Sequence, residues 1–423
     1  MGDNLREAVE GFWLAAARRA LGFVVGADAG EVLEKIRPIV VELSDLFTVA
    51  RPKIFRDYMS NARSLAAYGL FFFPQSFARA EFVARRLLGF CRCHHNEDCR
   101  NGGGDCGGNQ GGKIFRILDL GSGPAPCGLA FATVLHEKFP DARIEIVAVD
   151  RSRGALAAAV ALAREISRNS GGENSGWWRD WLTVATQVAD LKNFAGTAGA
   201  KFDFVVVGWA LNEIAPAEAP DGVERALVFL KKLAPSLSPT GTLVVMEPAQ
   251  KEPAERLQRV GDYFARMRGL PFFRVAPELG DHADPLLAEG GEMWNHEVRN
   301  WAPPATLEFL NRKLFRDIGV LKFSWRALAT EPFELPPLPA GTSAFLRLIS
   351  PMEITKPALR FTAVDVAGNK LQIEIPALDI SKNERKKIVA GWERGDIAAL
   401  AGTLCRVGNS EIFRLAGRLI KVA

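Results

Sequence analysis

The chain has 423 residues, 48% of them hydrophobic and 24% charged, enough for a sizeable core and two or three domains. Its 53 basic residues against 49 acidic ones leave a net charge of +4, too mild by itself to imply nucleic acid as a partner. No run approaches the roughly 18 uninterrupted apolar residues of a membrane helix, and six cysteines in a chain this long do not make a secreted disulfide framework. A soluble, cytoplasmic protein of bacterial type, without a signal peptide and with no membrane partner, is expected.

Residues 1–112 read as a helical N-terminal region ending in a Cys/Gly-rich insertion. Leu5, Val9, Phe12, Trp13 and Ala16 recur at helical spacing, as do Ile36, Ile39, Val40 and Leu43. Acids at Asp3, Glu7 and Glu10 ahead of the first apolar stretch favour an amphipathic helix over a leader sequence. The run SLAAYGLFFFPQSFARAEFVARRLL predicts a further helix, broken or kinked at Pro74. No chemistry is legible in these elements. Cys91, Cys93, Cys99 and Cys106, with His94 and His95 between them, have the ligand types for zinc or an iron–sulfur cluster. Their C-x-C-x5-C-x6-C spacing lacks C-x2-C pairs, so a flexible surface insertion with incidental thiols is the favoured reading and a metal site the alternative.

From Lys113 the pattern changes. IFRILDL, ARIEIVAVD, FDFVVVGWAL and GTLVVMEP are short apolar runs separated by helical segments such as SRGALAAAVALAREISRN and GVERALVFLKKLAPSL. Strands apolar on both faces that alternate with helices predict an α/β domain over residues 113–330, a doubly wound Rossmann-like parallel sheet covered on both sides. After the proline-rich EPFELPPLPAG, residues 331–423 read as a linker and a small basic β-rich module, barrel-like in pattern. From Pro351 to Ala423 there are 12 Lys/Arg against 8 Asp/Glu, so this module carries the whole excess of positive charge. Its cluster Lys382, Arg385, Lys386 and Lys387 is either a solvated helix face or a phosphate-contacting surface.

The stretch most open to chemical interpretation is ILDLGSGPAPCG, residues 117–128. A glycine turn leaving a buried strand lets the backbone approach a ligand, and the next helix presents N–H groups. Gly121 and Gly123 fit a dinucleotide-type turn, but Pro126 occupies the last position of G-x-G-x-x-G and removes a donor. Asp150 ends the second strand, where a carboxylate accepts ribose hydroxyls, and Asp190 ends the third, beside the place of an adenine. Gly208, Trp209 and Asn212 follow the fourth strand over the same cleft. Asp119, Gly121, Ser122, Gly123, Asp150, Asp190, Leu191 and Trp209 are the candidate cofactor-binding residues.

The run D-L-G-S-G-P, an acid ending the next strand, VADL, and a fourth strand ending in LNE resemble a class I S-adenosylmethionine-dependent methyltransferase. A closer resemblance covers most of the chain. DYMSNARSLAAYGLFFFP, ILDLGSGP, FDFVVVGWALNEI, VVMEPAQKEPAERL, VLKFSWRAL and the basic tail follow the order of the methyltransferase-like proteins of the mitochondrial small ribosomal subunit and their bacterial relatives. The resemblance implies S-adenosyl-L-methionine as cofactor, with Gly121 and Gly123 on its methionine side, Asp150 on the ribose, and Asp190 with Leu191 flanking the adenine. It also implies the small ribosomal subunit or its rRNA as partner, with no DNA. Two departures stand out. The family's third glycine is Ala125 here, followed by Pro126 and Cys127. The Cys-Pro-His stretch that ligates an iron–sulfur cluster in relatives is replaced by VAPELGDHADPLLAEGGEMWNHEVRNW, which has no cysteine.

Methyl transfer needs in-line positioning more than acid–base help, so no catalytic residue is assigned. There is no N/D-P-P-F/Y box after the fourth strand, and no cysteine nucleophile in LNEIAPAEAP or MEPAQKEP. Asn212 and Glu213 either orient a substrate or cap the next turn. Trp177, Trp178 and Trp181 either stack on flipped bases or, as the favoured reading, belong to the core. Arg256, Arg259, Arg266 and Arg268 suit either an RNA backbone or a solvated face. Two functional classes remain: a methyltransferase acting on small-subunit rRNA, and a non-catalytic assembly or binding factor that keeps the fold. A nicotinamide-dependent oxidoreductase is disfavoured by Pro126.

Overall fold

The computed structural model describes residues 3–48, 58–90, 113–170, 181–194, 196–197, 199–267, 269–288, 293–332, 334–376, 380–408 and 410–422. The chain opens with α1 (Asp3–Leu21), α2 (Ala29–Thr48) and α3 (Ala62–Phe90). Val9 and Trp13 of α1, Ile36 and Val40 of α2 and Phe73 and Phe77 of α3 lie in one core with the strand residues Ile117 and Phe204. These helices are therefore a wall of the sheet domain. A Cβ on Gly69 would come within 2.0 Å of the Trp13 indole, so α1 and α3 approach to a distance that only glycine permits. The break expected at Pro74 does not occur: α3 runs through it, held by buried residues on either side. There the Gln75 side chain donates to the Phe71 carbonyl at 2.7 Å.

The central sheet contains β1 (Ile114–Leu120), β2 (Arg143–Asp150), β3 (Leu182–Val188), β4 (Phe202–Gly208), β5 (Leu237–Pro248), β6 (Phe273–Ala276), β7 (Glu297–Asn300) and β8 (Val320–Ala329). The order is β3-β2-β1-β4-β5-β8-β6, with β7 also on β8. The first five strands pair in parallel, as expected. β8 is antiparallel to β5, β6 and β7, so the sheet as a whole is mixed. Alternate residues face two cores. Ile117, Ile146 and Phe204 pack toward α3, α4 (Pro126–Lys138) and α5 (Arg153–Ser170). Leu118, Val205 and Val245 pack toward α7 (Gly222–Leu233) and α8 (Lys251–Arg266). Coverage on both sides fails at β3. Between it and β4 the described residues form only the short turn Leu191–Asn193, and Thr183 and Ala185–Val188 are exposed. No helix among the described residues is long and apolar enough to cross a membrane.

The tail contains β9 (Phe345–Leu348), β10 (Glu353–Ile354), β11 (Ala358–Asp365), β12 (Lys370–Pro376), α11 (Lys382–Ala390), β13 (Ile397–Arg406) and β14 (Ile412–Lys421). Its order runs β11-β12-β14-β13-β9, and β9 pairs back onto β11, which closes a five-stranded barrel. Antiparallel neighbours, one parallel pair between β12 and β14, and a helix between the third and fourth barrel strands make this the arrangement of an OB fold.

Barrel and sheet meet across a seam of buried charge. Glu297 of β7 accepts from Arg347 of β9 at 2.9 Å and from the Trp325 indole at 3.1 Å, and pairs with Arg299. Arg299 also pairs with Asp396, just before β13. Nearby, Arg326 pairs with Glu278 at 3.0 Å and Asp284 at 3.3 Å.

Candidate functional site at the switch point of the sheet

Strand order reverses between β1 and β4, and in open α/β sheets ligands bind at the carboxyl edge of such a point. The glycine turn lies there. Gly121 and Gly123 have φ of 67° and 52°, the left-handed region that glycine enters without strain. Ala125 has φ of 59°, so the position that is glycine in the resembled family still needs a left-handed backbone, and a non-glycine residue adopts it.

The turn is closed on itself. Gly121 and Ser122 N–H both donate to the Val149 carbonyl, at 2.9 and 3.1 Å, and Ala125 N–H donates to Ser122 at 2.8 Å. Gly123 N–H donates to Asp150 Oδ2 at 2.8 Å, and Ser152 N–H to Asp150 Oδ1 at 2.8 Å. The donors expected to face a ligand are thus taken within the protein, because β2 ends in a carboxylate that reaches back to the turn. A Cβ on Gly121 would meet Ala210 Cβ at 2.5 Å and Leu191 Cδ1 at 3.1 Å, and one on Gly123 would meet Met59 Cε at 3.3 Å.

The sequence-predicted residues divide into three groups. Gly121, Ser122, Gly123, Asp150, Leu191 and Trp209 gather at the carboxyl edge of β1, β2 and β4. Asp190 is exposed at the rim, where its Oδ1 accepts from Lys192 N–H at 3.0 Å and caps the short turn. Asp119 lies beneath the turn: it is 1% exposed, and its Oδ2 accepts from Gly128 N–H at 2.8 Å. Burial raises its carboxyl to about 7. It fixes the entry of α4 from below.

Trp209, half-buried, has φ of 57°, a strained conformation for a bulky residue that costs about 1–3 kcal/mol. Its N–H is anchored to the Met246 carbonyl at 2.8 Å. Beyond it comes the single-turn α6 (Leu211–Ile214). Asn212 Oδ1 accepts from Ala217 N–H at 2.9 Å and Arg256 Nη1 at 3.0 Å, so Asn212 braces its own loop. Glu213 lies 4.0 Å from Arg151; partial burial lifts its carboxyl, with Asp150 adding to the shift and Arg151 opposing it.

One further expectation is corrected. Arg256 is neither a solvated residue nor an RNA contact: it is 2% exposed and paired with buried Glu247 at 2.8 Å. Arg259 and Arg266 are exposed, and Arg266 pairs with Asp262 at 3.4 Å. Trp181 is a core residue stacked on His136, 3.9 Å between centroids. Trp177, Trp178, Arg268 and the cysteines Cys91, Cys93, Cys99 and Cys106 lie outside the described residues. Among the described residues no group of three or more His, Cys, Asp or Glu is placed to hold a metal ion.

The N-terminal region, read as free of chemistry, supplies part of the site. Met59 covers Gly123, and its carbonyl lies 3.1 Å from where a Cβ on Gly154 would be. Tyr58 and Tyr68 both stand in the field of Asp150, and burial pushes both phenols up. Arg79 of α3 lies over the Trp209 ring, 5.7 Å from its centroid. The signal available in the sequence was the recurrence of Tyr68, Gln75 and Arg79 at helical spacing inside an otherwise apolar helix.

No protein-family model matches the chain, and no curated protein matches it. Solved structures overlap with it in part. A sugar N-methyltransferase from Streptoalloteichus is 20% identical with a TM-score of 0.21, over 41% of this chain and 47% of that one, so the chain spans about half of that protein. A SAM-dependent methyltransferase from Geobacter sulfurreducens in complex with S-adenosyl-L-homocysteine is 17% identical, TM-score 0.27, over 51% of this chain and 85% of that one. A class I S-adenosylmethionine-dependent methyltransferase described as putative, from Listeria monocytogenes, is 13% identical, TM-score 0.31, over 78% and 88%. At these identities and TM-scores none of them bears on what this chain binds or does.

Proposed function

We propose that the chain is an S-adenosylmethionine-dependent methyltransferase whose acceptor is RNA of the small ribosomal subunit. The observation that carries the first half is the meeting of a left-handed glycine turn and a backbone-oriented carboxylate, Asp150, at the point where strand order reverses. The residues there fit the cofactor. Gly121 and Gly123 make the left-handed turn, Asp150 is a half-buried acid at the height of a ribose, and Asp190 and Leu191 border the place of an adenine. When bound, the sulfonium supplies an electrophilic methyl group. The part of the protein is to orient: Asp150 holds the sugar, Asp119 fixes the turn from beneath, and Trp209 with α6 forms the wall along which a nucleophile is aligned.

The RNA half rests on the family resemblance and on the tail. OB barrels bind oligonucleotides on their outer strands, and here Arg360, Arg406, Arg414, Arg418, Lys382, Lys386 and Lys387 are exposed on the barrel and its helix. Arg360 and Arg414 share a single acid, Glu374, across three neighbouring strands.

One observation favours a second reading, a small-subunit binding factor without turnover. The turn's N–H groups are spent internally, and Met59, Leu191 and Ala210 stand against its glycines. Incubation with methyl-labelled S-adenosylmethionine and unmodified small-subunit RNA separates the two. Label on the RNA supports the enzyme; salt-sensitive RNA binding without label supports the factor; neither result overturns both.

A further inference from the structure

Arg79, half-buried on α3, differs from the arginines of the core. Arg256, Arg274, Arg299, Arg326 and Arg347 each pair with a carboxylate. Arg86, which has no direct acid contact, lies in the field of Glu297 and Asp396. Arg79 has no carboxylate partner among the described residues. Its contacts are Gln75 Oε1 at 3.4 Å and the Trp209 ring, and its Nε is buried with no hydrogen-bond partner. The two groups that face it electrostatically, Tyr68 and Cys127, have their acidities pushed upward by burial and are uncharged at neutral pH. Desolvation is the main cause that pulls the Arg79 guanidinium down to about 10.

A desolvated cation without a carboxylate partner is costly to a fold, and Arg79, which has none among the described residues, stands beside a strained tryptophan at the carboxyl end of β4. Cys127 packs against that strand end, where a Cβ on Gly208 would meet its Sγ at 2.5 Å. Tyr68 links the place to the cofactor edge, since it feels both Asp150 and Cys127. We propose that the place where Tyr68, Arg79, Cys127 and Trp209 meet is the acceptor subsite, and that Arg79 takes an anionic oxygen group of the acceptor, a nucleotide phosphate or a carboxylate. The location rests on the methyltransferase reading; the anion chemistry rests on Arg79 alone. Charge-assisted hydrogen bonds to a planar guanidinium supply both affinity and orientation. The acceptor thus brings the counter-ion that the described residues do not supply.

The test is titration of the full chain with inorganic phosphate, uridine 5′-monophosphate, uridine and acetate, read as melting temperature and as equilibrium binding. Each titration is run with and without S-adenosylhomocysteine. Phosphate and the nucleotide are expected to raise the melting temperature while uridine does not, and Arg79→Met to weaken anion binding at least tenfold. Arg79→Lys keeps part of it. Arg79→Met without ligand is expected to melt at or above the wild type, because it removes an unpaired charge. A larger response to acetate than to phosphate assigns the group as a carboxylate. Equal anion binding by wild type and Arg79→Met, or no anion binding by a wild type that binds S-adenosylhomocysteine, overturns the proposal. Anion binding through Arg79 without any S-adenosylhomocysteine binding leaves it standing and removes the cofactor reading instead.

Discussion

Two regions of this molecule bury charge, and they do so in opposite ways. In the seam between sheet and barrel the buried acids Glu297 and Asp396 are each held by arginine. Arg299 and Arg347 hold the Glu297 carboxyl down to about 2 against its burial, and Glu297 and Asp396 push Arg299 up. At the switch point the shifts run toward neutrality: Asp119 is raised, Glu213 is raised, and Arg79 is lowered with no acid beside it. A seam whose ions satisfy one another is a structural joint. A cleft whose ions are left wanting is prepared for something that arrives from outside.

The largest expected effect breaks the joint. Glu297→Ala leaves Arg299, Arg347 and the Trp325 indole without their shared acceptor, and a cost of about 3–5 kcal/mol is expected in chemical denaturation. Because its folded value is depressed, Glu297 contributes stability that is complete above its unfolded value, about 4.5, and is lost as pH falls through about 2. That contribution is of the order of 3 kcal/mol. Acid unfolding of the wild type should steepen in this window, and that of Glu297→Gln should not.

The opposite sign is expected at the switch point. Asp119 has a raised folded value, so its contribution is complete below the unfolded value, about 3.8, and declines as pH rises toward about 7. Asp119→Asn keeps an acceptor for Gly128 N–H and removes the titration. It should gain about 1–3 kcal/mol over the wild type at pH 8 and nearly nothing at pH 3.5. A constant difference across that range would contradict the assignment. The smallest effect belongs to neither region. Arg116 and Glu145 form an exposed pair at 3.0 Å, and Arg116→Ala is expected to change stability by less than about 0.5 kcal/mol.

How much of this was legible beforehand follows from the range of the contacts. The glycine turn, Asp150 and the strand edges were readable because spacing within a βαβ unit is local: Gly123 and Asp150 are 27 residues apart with one helix between them. The tail was anticipated as a small basic, β-rich, barrel-like module, but its strand order was not, since alternation reports strands and not their order. Met59 arrives from the turn before α3, which carries no motif, and Arg79 from α3, where only the recurrence of polar residues at helical spacing marked it. The seam was invisible for a similar reason: Arg299 and Asp396 are separated by 97 residues with no motif connecting them. Arg256 was misread because burial overrode its charge.

The central claim is that the switch point binds the adenosyl sulfonium through Asp150. Calorimetric titration of S-adenosylmethionine into the full chain tests it most directly. The account predicts saturable binding by the wild type, weakened tenfold or more in Asp150→Ala as hydrogen bonds to the sugar are lost. No heat from a folded wild type, or equal affinity in the two proteins, would contradict it.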